Sequence, residues 1–246
     1  MEKNKPIIIA HRGASAYAPE NTMAAFNKAY ELKADGIEFD VKCSKDGEVI
    51  IIHDQTLNRT TNGSGRVVET ILDDLRKLDA GSSFSSEFAG EKIPLLREVL
   101  EVYGGTYLLN IELTNYESIG DGLAKKVCQL LKDLNIERNI IFSSFHPYNL
   151  LVTRRLLPMI PTALLTLPGK KGRLTRSNLF RWLSPRYIHP YYHDADAKYI
   201  ELQHRYSRKV NVWTVNEEVD IKNFIEKNVD GIITDDPLLA KTILGL

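Results

Sequence analysis

The stretch IEFDVKCSKDGEVIIIHD, residues 37–54, sets two carboxylates, Glu38 and Asp40, in a run that otherwise reads as a buried strand, and it ends the next apolar run on a histidine, His53. Side chains alternate along a strand, so Glu38 and Asp40 share one face while Ile37, Phe39 and Val41 share the other. Burying an unpaired charge is costly, and a bound cation is one way to offset it. The same residue types recur at the ends of other apolar runs. IIIAH closes on His11 and is followed by Arg12, and LLNIEL carries Glu112 near its end. Three carboxylates make a hard oxygen site suited to Mg2+ or Ca2+. Two imidazoles beside it can serve as general acid and base, and an arginine can hold a phosphate by a two-pronged contact. Together these groups point to hydrolysis of a phosphate ester.

They can act together only if the elements that carry them converge. Short β-branched runs alternate with helical periodicity along the chain. Strands are expected over 6–11, 36–43, 48–54, 106–113, 139–145, 162–167, 186–191, 209–215 and 231–235, with KDG at 45–47 as the turn between the second and third. Helices are expected over 19–34, 94–104, 120–135, 174–183, 195–207, 218–228 and 237–245. About eight β/α units in a chain of 246 residues indicate an α/β fold of the (β/α)8 TIM barrel type. An open, doubly wound sheet is the alternative, but no G-x-G-x-x-G or Walker sequence follows the first strand. In a barrel the apolar face of 36–43 meets the helices, and the acidic face meets the axis near the C-terminal mouth. Residues 55–93 are polar, turn-rich and long for a connection. They read as an insertion capping one mouth of a single domain, 1–246, after the second strand region.

Composition narrows the classes. Hydrophobic residues make up 43% of the chain, enough for one large core. Lys plus Arg and Asp plus Glu both total 32, so the basic excess of a nucleic-acid binder is missing. Cys43 and Cys128 lack metal-ligand spacing and read as reduced thiols. The first residues hold only a four-residue apolar run, too short for a signal peptide, and no stretch approaches the roughly 20 apolar residues of a membrane span. The expectation is a soluble, cytoplasmic protein with a small-molecule substrate and no nucleic-acid partner. The sequence does not indicate an oligomeric state.

Weaker signals keep two readings each. His146 precedes Pro147 and reads as the start of a helix or as a mouth residue. His189 lines the mouth or belongs to the core, and Pro190 argues against a helical metal pair with His193. Asn216 starts a helix or touches substrate. The basic stretch 168–181 is a solvated loop, or a collar that attracts anionic phosphodiesters or a lipid surface.

The segments HRGASAYAPENTMAAF (11–26), GIEFDVKCSKDGEVIIIHDQTLNRTTNGSG (36–65), NIEL (110–113), VWTVN (212–216) and DGIITDDP (230–237) closely resemble the glycerophosphodiester phosphodiesterase family. The resemblance runs from His11 to Pro237. It implies a TIM barrel with an insertion after the second strand region, and divalent-metal-dependent hydrolysis of glycerophosphodiesters to sn-glycerol 3-phosphate and an alcohol. It implies that Glu38, Asp40 and Glu112 bind the metal. His11 and His53 become the acid/base pair, and Arg12 becomes a phosphate contact; our own reading takes His53 as acid and His11 as base, an assignment the sequence leaves open because it gives no distances. The resemblance adds Trp213 as a wall of the glycerol pocket. The family usually has a lysine two residues after the third carboxylate, where this chain has Thr114. Strand alternation aims Thr114 into the site, so a lysine introduced there is expected to raise kcat/KM. Two alternatives remain open: a lysophospholipase D or phosphoinositide phospholipase-like activity, and a catalytically weak barrel that binds phosphodiesters.

Overall fold

In the computed structural model, which describes residues 5–246, strand β2 (Gly36–Cys43) is buried along its whole length. The charged start of the chain, 1–4, lies outside the described residues. Ile37, Phe39 and Val41 of β2 join one apolar cluster with Phe26 and Ala29 of helix α1 (Met23–Glu31). The rings of Phe26 and Phe39 are 5.6 Å apart. The alternate residues of β2 therefore face the barrel interior, as period-2 alternation requires.

The chain continues through β1 (Ile7–His11), β3 (Val49–Ile51), α2 (Leu72–Leu75), α3 (Leu96–Tyr103), β4 (Leu108–Leu113), α4 (Leu123–Asp133), β5 (Ile140–Ser144) and α5 (Pro147–Leu156). It ends with β6 (Thr162–Thr166), α6 (Arg173–Arg176), β7 (Tyr187–Pro190), α7 (Ala197–Arg205), β8 (Lys209–Val212), α8 (Glu218–Glu226), β9 (Gly231–Thr234) and α9 (Pro237–Ile243). Strands pair in the order β1, β9, β8, β7, β6, β5, β4, β2, and a further β1–β2 pairing closes the ring of eight parallel strands.

The ninth strand is not a barrel stave. β3 runs antiparallel to β2, pairing Val41 with Ile51 and Cys43 with Val49. β2 pairs with β1 only as far as Glu38, so β3 takes over the edge that β1 leaves open above it. The hairpin turn carries Gly47 at φ 89°, a conformation that favours glycine. The Ile52 amide then donates to the Asp40 carbonyl at 3.0 Å, which returns the chain to the rim with His53 next.

The helix expected over 19–34 is confined to α1, and the one expected over 174–183 does not form as a single helix. Over 174–183 the chain forms the single turn α6, opens to extended backbone at Ser177 (ψ 166°) and makes a 3-10 turn at Asn178–Phe180. The Ser177 hydroxyl accepts from the Leu179 amide, so a side chain takes over a bond that a continuous helix would make with backbone.

Residues 55–93 form short helical turns around an apolar cluster of Leu57, Val67, Leu75, Ala80 and Ile93, which also takes in Ile50 and Ile52. Cys43 and Cys128 are both free and buried. Among the described residues no helix is long and apolar enough to cross a membrane.

Candidate active site

Strand register brings the carboxylates together. His11 of β1 is level with Glu38 of β2, and Asp40 of β2 is level with Glu112 of β4. Glu38, Asp40 and Glu112 each offer an oxygen within 4.8 Å of the others. The Asn21 amide donates to Asp40 at 2.9 Å, the Tyr116 hydroxyl to Glu112 at 2.7 Å, and the Arg12 backbone amide to Glu38 Oε2 at 3.0 Å. Glu38 Oε1 is buried with no hydrogen-bond partner.

The charges strain against one another. Burial, and then the charges of Asp40 and Glu112, push Glu38 well above the ordinary carboxylate range. Burial and Asp40 push Glu112 up to about 8. Burial opposes ionisation of Asp40 too, but Arg12, His53 and the Asn21 hydrogen bond outweigh it and hold Asp40 low. A buried oxygen without a donor, inside three mutually repelling carboxylates, fits a hard divalent cation.

The residues just after β1 build the support. Arg12 adopts φ 55° and Gly13 φ 83°. A Cβ on Gly13 would sit 2.6 Å from the Ala25 backbone carbonyl carbon, so only glycine lets α1 approach this closely. In PENT (19–22), Glu20 accepts from Arg12 Nη1 at 2.8 Å, Asn21 holds Asp40, and Thr22 caps α1 by accepting from the Ala25 amide. Arg12 Nε also lies 3.2 Å from Asp40, without hydrogen-bond alignment. Two of the three guanidinium nitrogens, Nη1 and Nε, thus face carboxylates. Arg59, from the 55–93 segment, ties Glu20 to Asp54.

Each histidine has its own carboxylate. His11 Nδ1 is 2.6 Å from Asp235 Oδ1, and His53 Nδ1 is 2.7 Å from Asp54 Oδ1. A carboxylate at Nδ1 fixes the tautomer and leaves Nε2 for chemistry. Burial would raise Asp235, but its bonds to His11, Ser15 and Asn216 outweigh that and hold it at about 2. Asn216 braces it by donating to Asp235 Oδ2 at 2.5 Å and accepting from the Asp235 amide at 2.9 Å. Asp235 and Asp54 were not singled out from the sequence. The signal was present: each is a carboxylate at the end of an apolar run, the feature that drew attention to Glu112.

Thr114 offers no free hydroxyl to the cavity. It is 1% exposed; its hydroxyl donates to the Val41 carbonyl and accepts from Lys42 Nζ at 2.9 Å. Lys42 lies on the same β2 face as Glu38 and Asp40, two residues further on. Burial lowers its ammonium to about 8 against the pull of Asp40 and Glu112. Sequence reasoning passed over it, although the same alternation that paired the carboxylates includes it.

His11, Arg12, Glu38, His53 and Glu112 open on one cleft with about 470 Å³ of empty space. Phe145, Leu165 and Trp213 form its apolar side. The Trp213 indole donates to the His189 carbonyl at 2.9 Å and meets Phe145 edge-on, with ring centroids 5.4 Å apart. His189 itself is fully buried against Asn211 and does not line the cleft. His146 caps α5, accepting from the Tyr148 amide.

A model of the glycerophosphoryl diester phosphodiesterase family matches residues 11–239. The chain is 40% identical over 243 residues to a glycerophosphodiester phosphodiesterase of Caldanaerobacter subterraneus subsp. tengcongensis, covering 98% of each protein. It is 37% identical to one of Bacillus altitudinis, covering 94% of each. Its fold is similar to that of an Oleispira antarctica phosphodiesterase solved in complex with the product sn-glycerol-3-phosphate, with TM-score 0.87, 28% identity and 98% of each chain covered. A glycerophosphodiester phosphodiesterase from Agrobacterium tumefaciens is similar at TM-score 0.80 and 28% identity, with 96% of this chain and 99% of that one covered.

Proposed function

The chain belongs to the glycerophosphoryl diester phosphodiesterase family and is a phosphoric diester hydrolase, and from that premise we propose divalent-metal-dependent hydrolysis of glycerophosphodiesters to sn-glycerol 3-phosphate and an alcohol, with His11 and His53 as the acid/base pair. The observation that carries this reading is the cluster of Glu38, Asp40 and Glu112, with oxygens within 4.8 Å of one another and Glu38 Oε1 unpartnered, beside two histidines each held at Nδ1 by a carboxylate.

In this reading Glu38, Asp40 and Glu112 would hold Mg2+ or Ca2+. The bound ion would supply electrostatic stabilisation of the negative charge that grows on the phosphoryl oxygens. The chain's own groups carry the protons. His11 is the less exposed histidine, 20% against 42% for His53, and lies 4.0 Å from Glu38. Close to Glu38, it takes the proton from the nucleophile, whether water or the substrate's neighbouring hydroxyl. His53 faces outward, where a departing alcohol of variable size must leave, and gives its proton to that alcohol. As each ring gains positive charge, the carboxylate behind it stabilises the imidazolium.

Trp213 and Phe145, packed edge to face, form an apolar wall suited to the carbon skeleton of glycerol. Lys42, and Arg12 between its carboxylates, add positive charge beside the phosphate position. The test is an activity matrix of metal against substrate on purified protein: glycerophosphocholine, glycerophosphoethanolamine, a lysophospholipid and a phosphoinositide, each with Mg2+, Ca2+ or chelator. Preferred turnover of the lysophospholipid would favour the lysophospholipase D reading. Tight binding without turnover in any condition would favour a phosphodiester-binding barrel.

A further inference from the structure

The connection between β6 and β7 leaves the barrel at its mouth, two residues beyond the cleft-lining Leu165. Four large apolar side chains on it, Leu167, Leu174, Leu179 and Trp182, are between 45% and 61% exposed. Over 168–193 the chain carries six lysines and arginines and no carboxylate, although the protein as a whole has zero net charge. Single exposed apolar residues are ordinary, but a group of them on one basic excursion marks an interaction surface.

The excursion is held in shape. Arg176 donates to the carbonyls of Leu167 and Gly169 and pairs with Asp194 at 2.8 Å. A Cβ on Gly172 would lie 1.8 Å from the Leu167 carbonyl oxygen, so the turn closes tightly on itself. Arg181 stacks over Tyr206, 4.6 Å from the ring centroid. Lys170, Lys171 and Arg173 are exposed and make no ion pair among the described residues.

Apolar exposure alone does not say what covers a surface; the charge does. A second copy of the chain meeting this face with its own would set cations against cations. An anionic bilayer offers both partners at once: phosphates for the cations, and an interfacial layer where tryptophan and leucine are favoured. We propose that residues 167–182 dock on the surface of an anionic phospholipid bilayer, with Leu174, Leu179 and Trp182 in the headgroup layer and Lys170, Lys171 and Arg173 against lipid phosphates, so that the barrel mouth faces the membrane.

The test is co-sedimentation of the whole chain with vesicles of phosphatidylcholine, alone or mixed with phosphatidylglycerol. Binding to the mixed vesicles should exceed binding to phosphatidylcholine by at least about tenfold and should fall steeply with added salt. The triple charge reversal Lys170→Glu, Lys171→Glu, Arg173→Glu should weaken it by about tenfold or more. Trp182→Ser should also weaken it, and should abolish the blue shift in tryptophan emission expected of the parent protein on vesicles. Both variants should keep the parent's melting temperature and its rate on glycerophosphocholine, which separates loss of docking from loss of fold. Failure to bind either vesicle, equal binding to both, or undiminished binding by the charge-reversed variant would overturn the proposal. So would self-association without vesicles that Trp182→Ser abolishes, since the face would then belong to a second copy.

Discussion

The Lys42 ammonium lies 2.7 Å from the Thr114 carbonyl oxygen and 2.9 Å from the Thr114 hydroxyl, so a cation from β2 lies against the residue just after β4 at which a lysine is usual in the family. The two positions adjoin across the barrel wall, one step beyond the register pair Val41–Leu113. On the function proposed above, Thr114 does not mark a missing charge, because the Lys42 ammonium stands beside it.

This reverses the expectation for Thr114→Lys. A second ammonium would be forced against Lys42 at a position 1% exposed. It would also cost the hydroxyl's bonds, at about 1.5–3 kcal/mol for one made to a charged group. Thr114→Lys alone should lower both melting temperature and kcat/KM. Lys42→Thr alone should lower kcat/KM by roughly tenfold, as expected for losing one preorganised cation near the phosphate. The exchange Lys42→Thr with Thr114→Lys should recover much of that loss. Steady-state kinetics of the three variants at saturating metal decide it; a double variant no better than Lys42→Thr would mean that the ammonium serves only packing.

Chelation should abolish turnover, and Mg2+ or Ca2+ should restore it, because the three carboxylates repel one another without a cation. Elemental analysis should find a divalent ion in the active protein. Full activity in excess chelator, with none found, would remove the metal from the mechanism.

His11→Ala and His53→Ala should each cut kcat by roughly 100-fold or more, the usual range for a general acid or base. Asp235→Asn and Asp54→Asn act through the histidines, so kcat should fall by about tenfold with KM near the parent value. A change confined to KM would assign these carboxylates to substrate binding.

Metal-free stability should depend on pH in an unusual direction. Glu112 titrates near 8 in the fold against an ordinary 4.5, and Glu38 is also raised. Between those values the folded protein holds more protons than the unfolded chain, so stability falls as pH rises through the window. A cation binds the deprotonated carboxylates, so its stabilisation should grow over the same range. Thermal melts with chelator and with added metal, from about pH 5 to about pH 8, should diverge with rising pH. Glu112→Gln should flatten the chelator curve. An equally steep curve in that variant would place the titration elsewhere.

Much of this architecture is local and was therefore legible. Period-2 alternation put Glu38 and Asp40 on one face, and Gly47 in the KDG turn marked the hairpin that delivers His53. His11 and Glu112 announced themselves as polar residues ending or nearly ending apolar strands. The exposed apolar residues of 167–182 were visible as letters, but their exposure was not, since the same periodicity suits a helix packed on the barrel.

The sequence by itself determined which residues each strand turns inward, because that depends only on a dihedral repeat between neighbours in the chain. Tertiary structure decided which of them meet. Asp235 reaches His11 across a separation of 224 residues, and Lys42 reaches Thr114 across 72. Both contacts depend on the register between strands remote in the chain. That register is set by closing an eight-stranded ring and packing helices around it, a condition on the whole barrel that no single segment encodes.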